Sequence, residues 1–124
     1  MIAHAGIAIS DYQRSKQFYI DLLKPLGYTN NMEFGVAAGF NDGKNTDFWI
    51  AKEEKVAPSH VAFEAKNKEE VEAFYKSGLA AGGKDNGAPG YREQYWPGYY
   101  AAFIYDPDGH NIEAVWFDYS KAKK

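Results

Sequence analysis

The sequence repeats itself once, and a repeat constrains assembly more tightly than any local propensity. His4 and His60 lie 56 residues apart, and the same offset carries Asp11 to Asn67, Phe18 to Phe74, Tyr19 to Tyr75, Leu23 to Leu79 and Gly27 to Gly83. One unbroken offset over such a stretch implies two copies of a single supersecondary unit, each opening on a strand that begins with histidine. A chain of 124 residues has material for one core and not for two independent ones. The copies are therefore expected to share a core or a sheet.

Within each copy the periodicity changes in the same order. Ile2 to Ser10 is small, apolar and strand-like, and Ser10 and Asp11 supply helix-capping chemistry. Phe18, Leu22, Leu23 and Leu26 recur at helical spacing until Pro25 and Gly27 stop the helix. Short strands follow, divided by Gly35, Gly39 and the Asn41-Asp42-Gly43-Lys44 turn, with Asp47 to Ala51 the clearest. The second copy opens on His60 to Glu64, is capped at Asn67, and carries Val71, Phe74, Tyr75 and Leu79 as its helical stripe before Gly82-Gly83. Gly87 to Gly98 reads as a loop with an extended middle, and Tyr99 to Tyr105 and Asn111 to Phe117 as strands joined by Asp106-Pro107-Asp108-Gly109. The order is β-α-β-β-β twice: an α+β chain of one domain, 1–124, with module one at about 1–52 and module two at about 58–118.

Composition narrows the partners. A net charge of −3 leaves no nucleic-acid footprint and argues against docking to an anionic membrane. No run of about 18 apolar residues is present, and the N-terminal residues lack a signal-peptide pattern. The sequence has no cysteine, which removes disulfides, thiolate ligands and cysteine nucleophiles. The expected compartment is the cytoplasm. Lys121, Lys123 and Lys124 read as a solvated basic end.

Alternation along the last strand puts Asn111, Glu113, Val115 and Phe117 on one face and Ile112, Ala114 and Trp116 on the other. The second set suits packing against helices, so Glu113 is aimed at the opposite, concave face, where a carboxylate among apolar neighbours needs a partner. Two imidazoles at repeat-related positions, His4 and His60, together with Glu113 form a natural ligand set for a divalent metal with open positions. Hydrogen-bonded structural histidines are the alternative. His110, outside the repeat, reads as a solvated turn residue, and Arg14 as a helix-surface charge.

Aromatic residues are plentiful, with ten Tyr, eight Phe and three Trp. Tyr91, Tyr95, Tyr99, Tyr100 and Tyr105 read either as strand residues packed on one side or as the wall of a ligand pocket. Tyr95 and Tyr100 are the substrate-binding candidates among them, with Trp49 either a further wall or a core residue. Arg92 is the only arginine in the second half and a candidate for pairing with an anionic substrate group; a salt bridge to Glu93 or another surface acid is the alternative.

The Asp11, Arg14-Ser15, Phe18-Tyr19 and Leu26-Gly27 stretch, His60-Val61-Ala62-Phe63, and Asp106-Pro107-Asp108-Gly109 leading to Glu113 resemble the glyoxalase/bleomycin-resistance/dioxygenase family, the vicinal oxygen chelate superfamily. The resemblance spans nearly the whole chain. It implies paired βαβββ modules that curl a mixed sheet into a cup with helices outside. It also implies a divalent metal held by inward residues matching His4, His60 and Glu113, with Glu113 in the catalytic role; Zn, Fe, Mn, Ni and Mg are not distinguished. Glyoxalase I enzymes of the family add a glutamate on the last strand of module one. The matching residue here is Trp49, with Asp47 a weaker substitute, so the ligand set resembles that of the extradiol dioxygenases and fosfomycin-modifying enzymes. The function implied is a small metal-dependent lyase, isomerase or dioxygenase-like enzyme acting on a vicinal-oxygen molecule and lacking the fourth ligand of glyoxalase I. A drug-sequestering binding protein of the bleomycin-resistance type is the alternative, and family analogy points to a homodimer.

Overall fold

The computed structural model describes residues 2–122. Module one contains β1 (Ala5–Ile9), α1 (Tyr12–Leu23), β2 (Thr29–Phe34), β3 (Ala37–Asn41) and β4 (Thr46–Lys52). Module two repeats the order with β5 (His60–Glu64), α2 (Lys68–Ala80), β6 (Lys84–Tyr91), β7 (Tyr99–Tyr105) and β8 (Asn111–Phe117), and a one-turn helix, α3 (Tyr119–Ala122), follows. Each module contributes one four-stranded mixed sheet, ordered β1-β4-β3-β2 and β5-β8-β7-β6, and the sheets do not close into a barrel. Among the described residues no helix is long and apolar enough to cross a membrane.

The repeat is written into the caps. Asp11 accepts from the Arg14 amide at 3.2 Å and Asn67 from the Glu70 amide at 2.8 Å, each satisfying a donor that the first helical turn leaves free. α1 buries Tyr12, Ser15, Phe18, Tyr19, Leu22 and Leu23. A 3-10 turn at Lys24–Leu26 then takes Pro25 near its start, and Gly27 ends it at φ 87°, a conformation glycine adopts without a Cβ penalty.

α2 departs from the expected stripe. It buries Val71, Phe74 and Gly78, whereas Leu79 is exposed. A Cβ on Gly78 would meet Leu22 at 2.8 Å and Ile104 at 3.0 Å, so a glycine holds the place where α2 comes closest to α1 and β7. The stretch expected as a loop from Gly87 is also corrected. β6 runs on to Tyr91, with its register slipping at Gly87 and again before Gly90. It is the edge strand, where Pro89 and the glycines are tolerated because one side of the ladder has no partner.

The modules share one core. Phe63 of β5 meets Tyr28 and Phe48 edge-on at centroid distances of 5.4 and 5.0 Å. The Asp106–Gly109 turn clamps module one. The Asp106 carboxylate accepts from the Tyr19 hydroxyl and from the Asp108 and His110 amides at 2.9 and 2.8 Å, while Asp108 accepts from the Ser10 hydroxyl at 2.6 Å.

His110 is corrected most sharply, being fully buried rather than solvated. Its Nε2–H donates to the Ala8 carbonyl of β1 at 2.7 Å, and its Nδ1 accepts from the Ser59 amide at 2.9 Å. Both ring nitrogens are thus consumed in joining the modules. Lys121 lies over the Tyr91 ring at 4.8 Å; Lys123 and Lys124 lie outside the described residues.

Candidate functional site

β8 is flanked by β5 and β7, and the register fixes which side chains share the face of the second sheet opposite the helices. Glu113 pairs with Ala62 on one side and Phe103 on the other, and Tyr99 pairs with Phe117. Directly opposed residues face the same way, so Glu113, Phe103, Tyr99 and Phe117 all project onto that face. Ile112 and Ala114 are buried on the helix side, with Trp116 packed against the same core.

Glu113 is only 2% exposed, and its two oxygens are held differently. The Tyr99 hydroxyl donates to Oε2 in a short hydrogen bond. Oε1 lies 3.1 Å from His60 Nε2. The other ring nitrogen, Nδ1, lies 3.0 Å from the Asn111 carbonyl, which can only accept, so Nδ1 carries the proton. In a neutral imidazole Nε2 is then a bare lone pair facing a carboxylate oxygen. Two acceptors at that distance require a shared cation, either a proton or a metal. Nδ1–H donated to a carbonyl is also the usual way a metal-binding imidazole is oriented. The His60 side chain is 51% exposed and so reaches solvent from a buried anchor.

Burial first, and the bond to Glu113 second, raise the Tyr99 phenol well above its ordinary value. Tyr99 therefore stays a neutral donor at physiological pH. It belongs to the tyrosine cluster noted in the sequence but is not one of its substrate-binding candidates, although counting alternation back from the Asp106–Gly109 turn pairs it across β8 with Phe117. Tyr100 is corrected for the same reason. It points to the helices, donates to Glu72 at 2.7 Å, and is pushed up to about 12 by burial and that bond. Tyr95 is 60% exposed and stacks edge-on against Tyr99 at 5.3 Å, at the rim of the face.

His4 stands one residue ahead of β1 and is exposed. Among the described residues no group of three His, Cys, Asp or Glu side chains could hold a metal, so one chain brings His60 and Glu113 together without His4. Trp49 is opposite Gly6 and Gly39; its ring crosses Gly39, where a Cβ would meet it at 2.8 Å, and it stacks on Phe34 at 6.0 Å.

Asp47 lines a cleft of about 1260 Å³ between the modules, whose wall also includes Tyr28, Phe63 and His60. Its Oδ2 accepts from Tyr28 at 3.3 Å, its Oδ1 is buried without a partner, and burial raises its carboxyl above the ordinary value. Arg92 pairs with neither Glu93 nor any other acid among the described residues. It lies over Phe103, with its guanidinium carbon 5.3 Å from the ring centroid.

The sequence model of the Glyoxalase/Bleomycin resistance protein/Dioxygenase superfamily matches residues 1–114. A glyoxalase/bleomycin resistance protein from Albidiferax ferrireducens T118 is 28% identical, with a TM-score of 0.79 over 92% of this chain and 96% of that one. A family enzyme from Burkholderia phytofirmans PsJN shares the fold at 17% identity and a TM-score of 0.73, over 94% and 98% of the two chains. A structure described as lactoylglutathione lyase from Agrobacterium tumefaciens shares it at 17% identity and 0.71, over 94% and 92%. No curated protein matches the sequence.

Proposed function

Because the chain belongs to the glyoxalase/bleomycin-resistance/dioxygenase superfamily, we propose that it is a small-molecule enzyme whose metal-holding pair is His60 and Glu113. The observation that carries this reading is His60 Nε2 set 3.1 Å from Glu113 Oε1, an arrangement that needs a shared cation, with Nδ1–H and Oε2 both already engaged. His60 Nε2 and Glu113 Oε1 would hold the ion, which would act as a Lewis acid toward two adjacent oxygens of a substrate. Tyr99 keeps the carboxylate oriented, and the Asn111 carbonyl fixes the tautomer of His60. Phe103 and Phe117 limit water on the same face.

A third ligand has to come from elsewhere, because His4 of the same chain lies apart. We assign that role to His4 of a second copy, in a homodimer that sets module one of one chain against module two of the other. Phe34, Val36 and Met32 support this assignment: they leave module one with exposed apolar side chains that a partner would cover. The proposed compartment is the cytoplasm, as the cysteine-free composition permits.

The test is metal content of tag-free protein prepared without chelator, alongside His4→Ala, His60→Ala and Glu113→Gln, with sedimentation to give the oligomeric state. Near-stoichiometric metal in a dimer, lost in each variant, is expected. Less than about a tenth of an equivalent, unchanged by His60→Ala, would remove the reading. Exposed Tyr95 and Trp96 at the rim favour a second reading, a non-catalytic ligand-sequestering protein. Tryptophan fluorescence titrations that are insensitive to EDTA would select it.

A further inference from the structure

Arg92 follows directly on β6 and folds back over it. Nη1 donates to the Gly90 carbonyl at 2.8 Å and Nη2 to the Ala88 carbonyl at 2.9 Å. The glycines make room for this: a Cβ on Gly87 would come within 3.0 Å of Nη2, and one on Gly90 within 3.1 Å of Nη1. The double register slip of β6 and the ring of Phe103 thus form a cradle shaped to a guanidinium, with backbone carbonyls on one side and an aromatic face on the other.

Among the described residues nothing neutralises the charge so held. Among the described residues the ion pairs are Lys16–Glu33 and His60–Glu113, so no carboxylate lies within pairing distance of Arg92. Two carbonyls occupy part of a five-donor fork and leave the rest free. The location is also specific. Phe103, under the guanidinium, is the cross-strand partner of Glu113, and the Arg92 amide donates at 2.7 Å to the carbonyl of Tyr99, whose hydroxyl holds Glu113. A partly buried, pre-oriented cation without a counter-ion, beside a metal-competent pair, is arranged to receive an anion.

Resting on the proposed placement of the site around His60 and Glu113, we infer that Arg92 is its anion-recognition residue and that the natural ligand is a small organic oxyanion. The carboxylate or phosphonate end takes the free N–H groups of the fork, and the body of the ligand lies over Tyr99 toward Glu113. The cradle explains why a lysine would not serve equally. A single ammonium can neither span Ala88 and Gly90 nor present a planar edge to two oxygens.

The experiment follows the Arg92 Nε–H resonance of the ¹⁵N-labelled, chelator-treated full chain, titrated with phenylphosphonate, benzoate and benzyl alcohol. Saturable movement with one or both anions and none with the alcohol is expected, and the stronger anion identifies the head group. Arg92→Gln should weaken anion binding at least about tenfold and Arg92→Lys by less, without changing metal stoichiometry. No saturable movement with either anion up to about 10 mM, or native affinity in Arg92→Gln, overturns the inference. The native-protein titration and Arg92→Lys keep it falsifiable if Arg92→Gln does not fold. His60→Ala separates the two proposals. Loss of metal with anion affinity retained leaves both standing. Metal absent throughout but anion binding dependent on Arg92 removes only the metal reading, and metal retained with Arg92-independent anion binding removes only this one.

Discussion

Trp49 and Glu113 stand on equivalent rungs of the two sheets. Trp49 is opposite Gly6 of β1, Glu113 is opposite Ala62 of β5, and Gly6 and Ala62 are related by the same 56-residue offset as His4 and His60. Module one therefore presents an indole where module two presents a carboxylate. That difference makes the candidate metal set asymmetric.

Trp49→Glu places a second carboxylate on that rung. If His4 and Trp49 of one copy face His60 and Glu113 of another, the variant should bind divalent metal about tenfold more tightly in calorimetric titration. It gives up the stack on Phe34, worth about 1 kcal/mol. Unchanged metal affinity would show that this rung does not reach the ion.

His110→Ala should be severely destabilising. It leaves the Ala8 carbonyl and the Ser59 amide without the partners they now have at 2.7 and 2.9 Å and opens a cavity between the modules. Urea unfolding should register a loss of about 3 kcal/mol or more. A loss below about 1 kcal/mol would mean that the modules are not joined through this side chain.

Gly78→Ala sets two effects against each other. Alanine gains about 1 kcal/mol of helix propensity over glycine. Its Cβ, however, would meet Leu22 at 2.8 Å and Ile104 at 3.0 Å, and overpacking of this kind costs about 1–3 kcal/mol. Net destabilisation is expected, and Gly78→Val should be worse. A rise in melting temperature for the alanine variant would contradict the close helix–helix contact.

Alkaline pH should unfold the protein earlier than its core alone would suggest. Burial and acceptor carboxylates raise Tyr12 and Tyr100 to about 12 and push Tyr19, Tyr28 and Tyr99 up as well. Above about pH 10 an unfolded chain releases these protons while the folded one keeps them, so stability is intact below that value and falls as pH rises through it. Melting temperatures measured from about pH 8 to about pH 11 should decline with a slope that Tyr19→Phe reduces. A flat profile would show that the phenols titrate alike in both states.

Much of the architecture is legible without coordinates because its causes are local. Asp11 and Asn67 mark helix starts through chemistry confined to one turn, and the Asp106–Gly109 turn sets the alternation that aims Glu113 at the face away from the helices. The exposure of Leu79 and the strand from Gly87 are hidden from the sequence for the opposite reason. Helical spacing alone does not reveal that Gly78 must be small to admit Leu22, and glycine content does not reveal that β6 is an edge strand.

By itself the sequence determined the doubled βαβββ order and the face of Glu113, since strand alternation and turn chemistry act over a few residues. Only the tertiary structure decided that His110 is a buried clamp, that Tyr99 rather than Tyr100 holds Glu113, that His60 reaches Glu113 while His4 does not join it within one chain, and that Arg92 is seated with no counter-ion among the described residues. Those outcomes depend on how the two modules and their β-ladders are set against one another. The repeat relates the modules by an offset in sequence, but packing and inter-strand register set the distances between them in space.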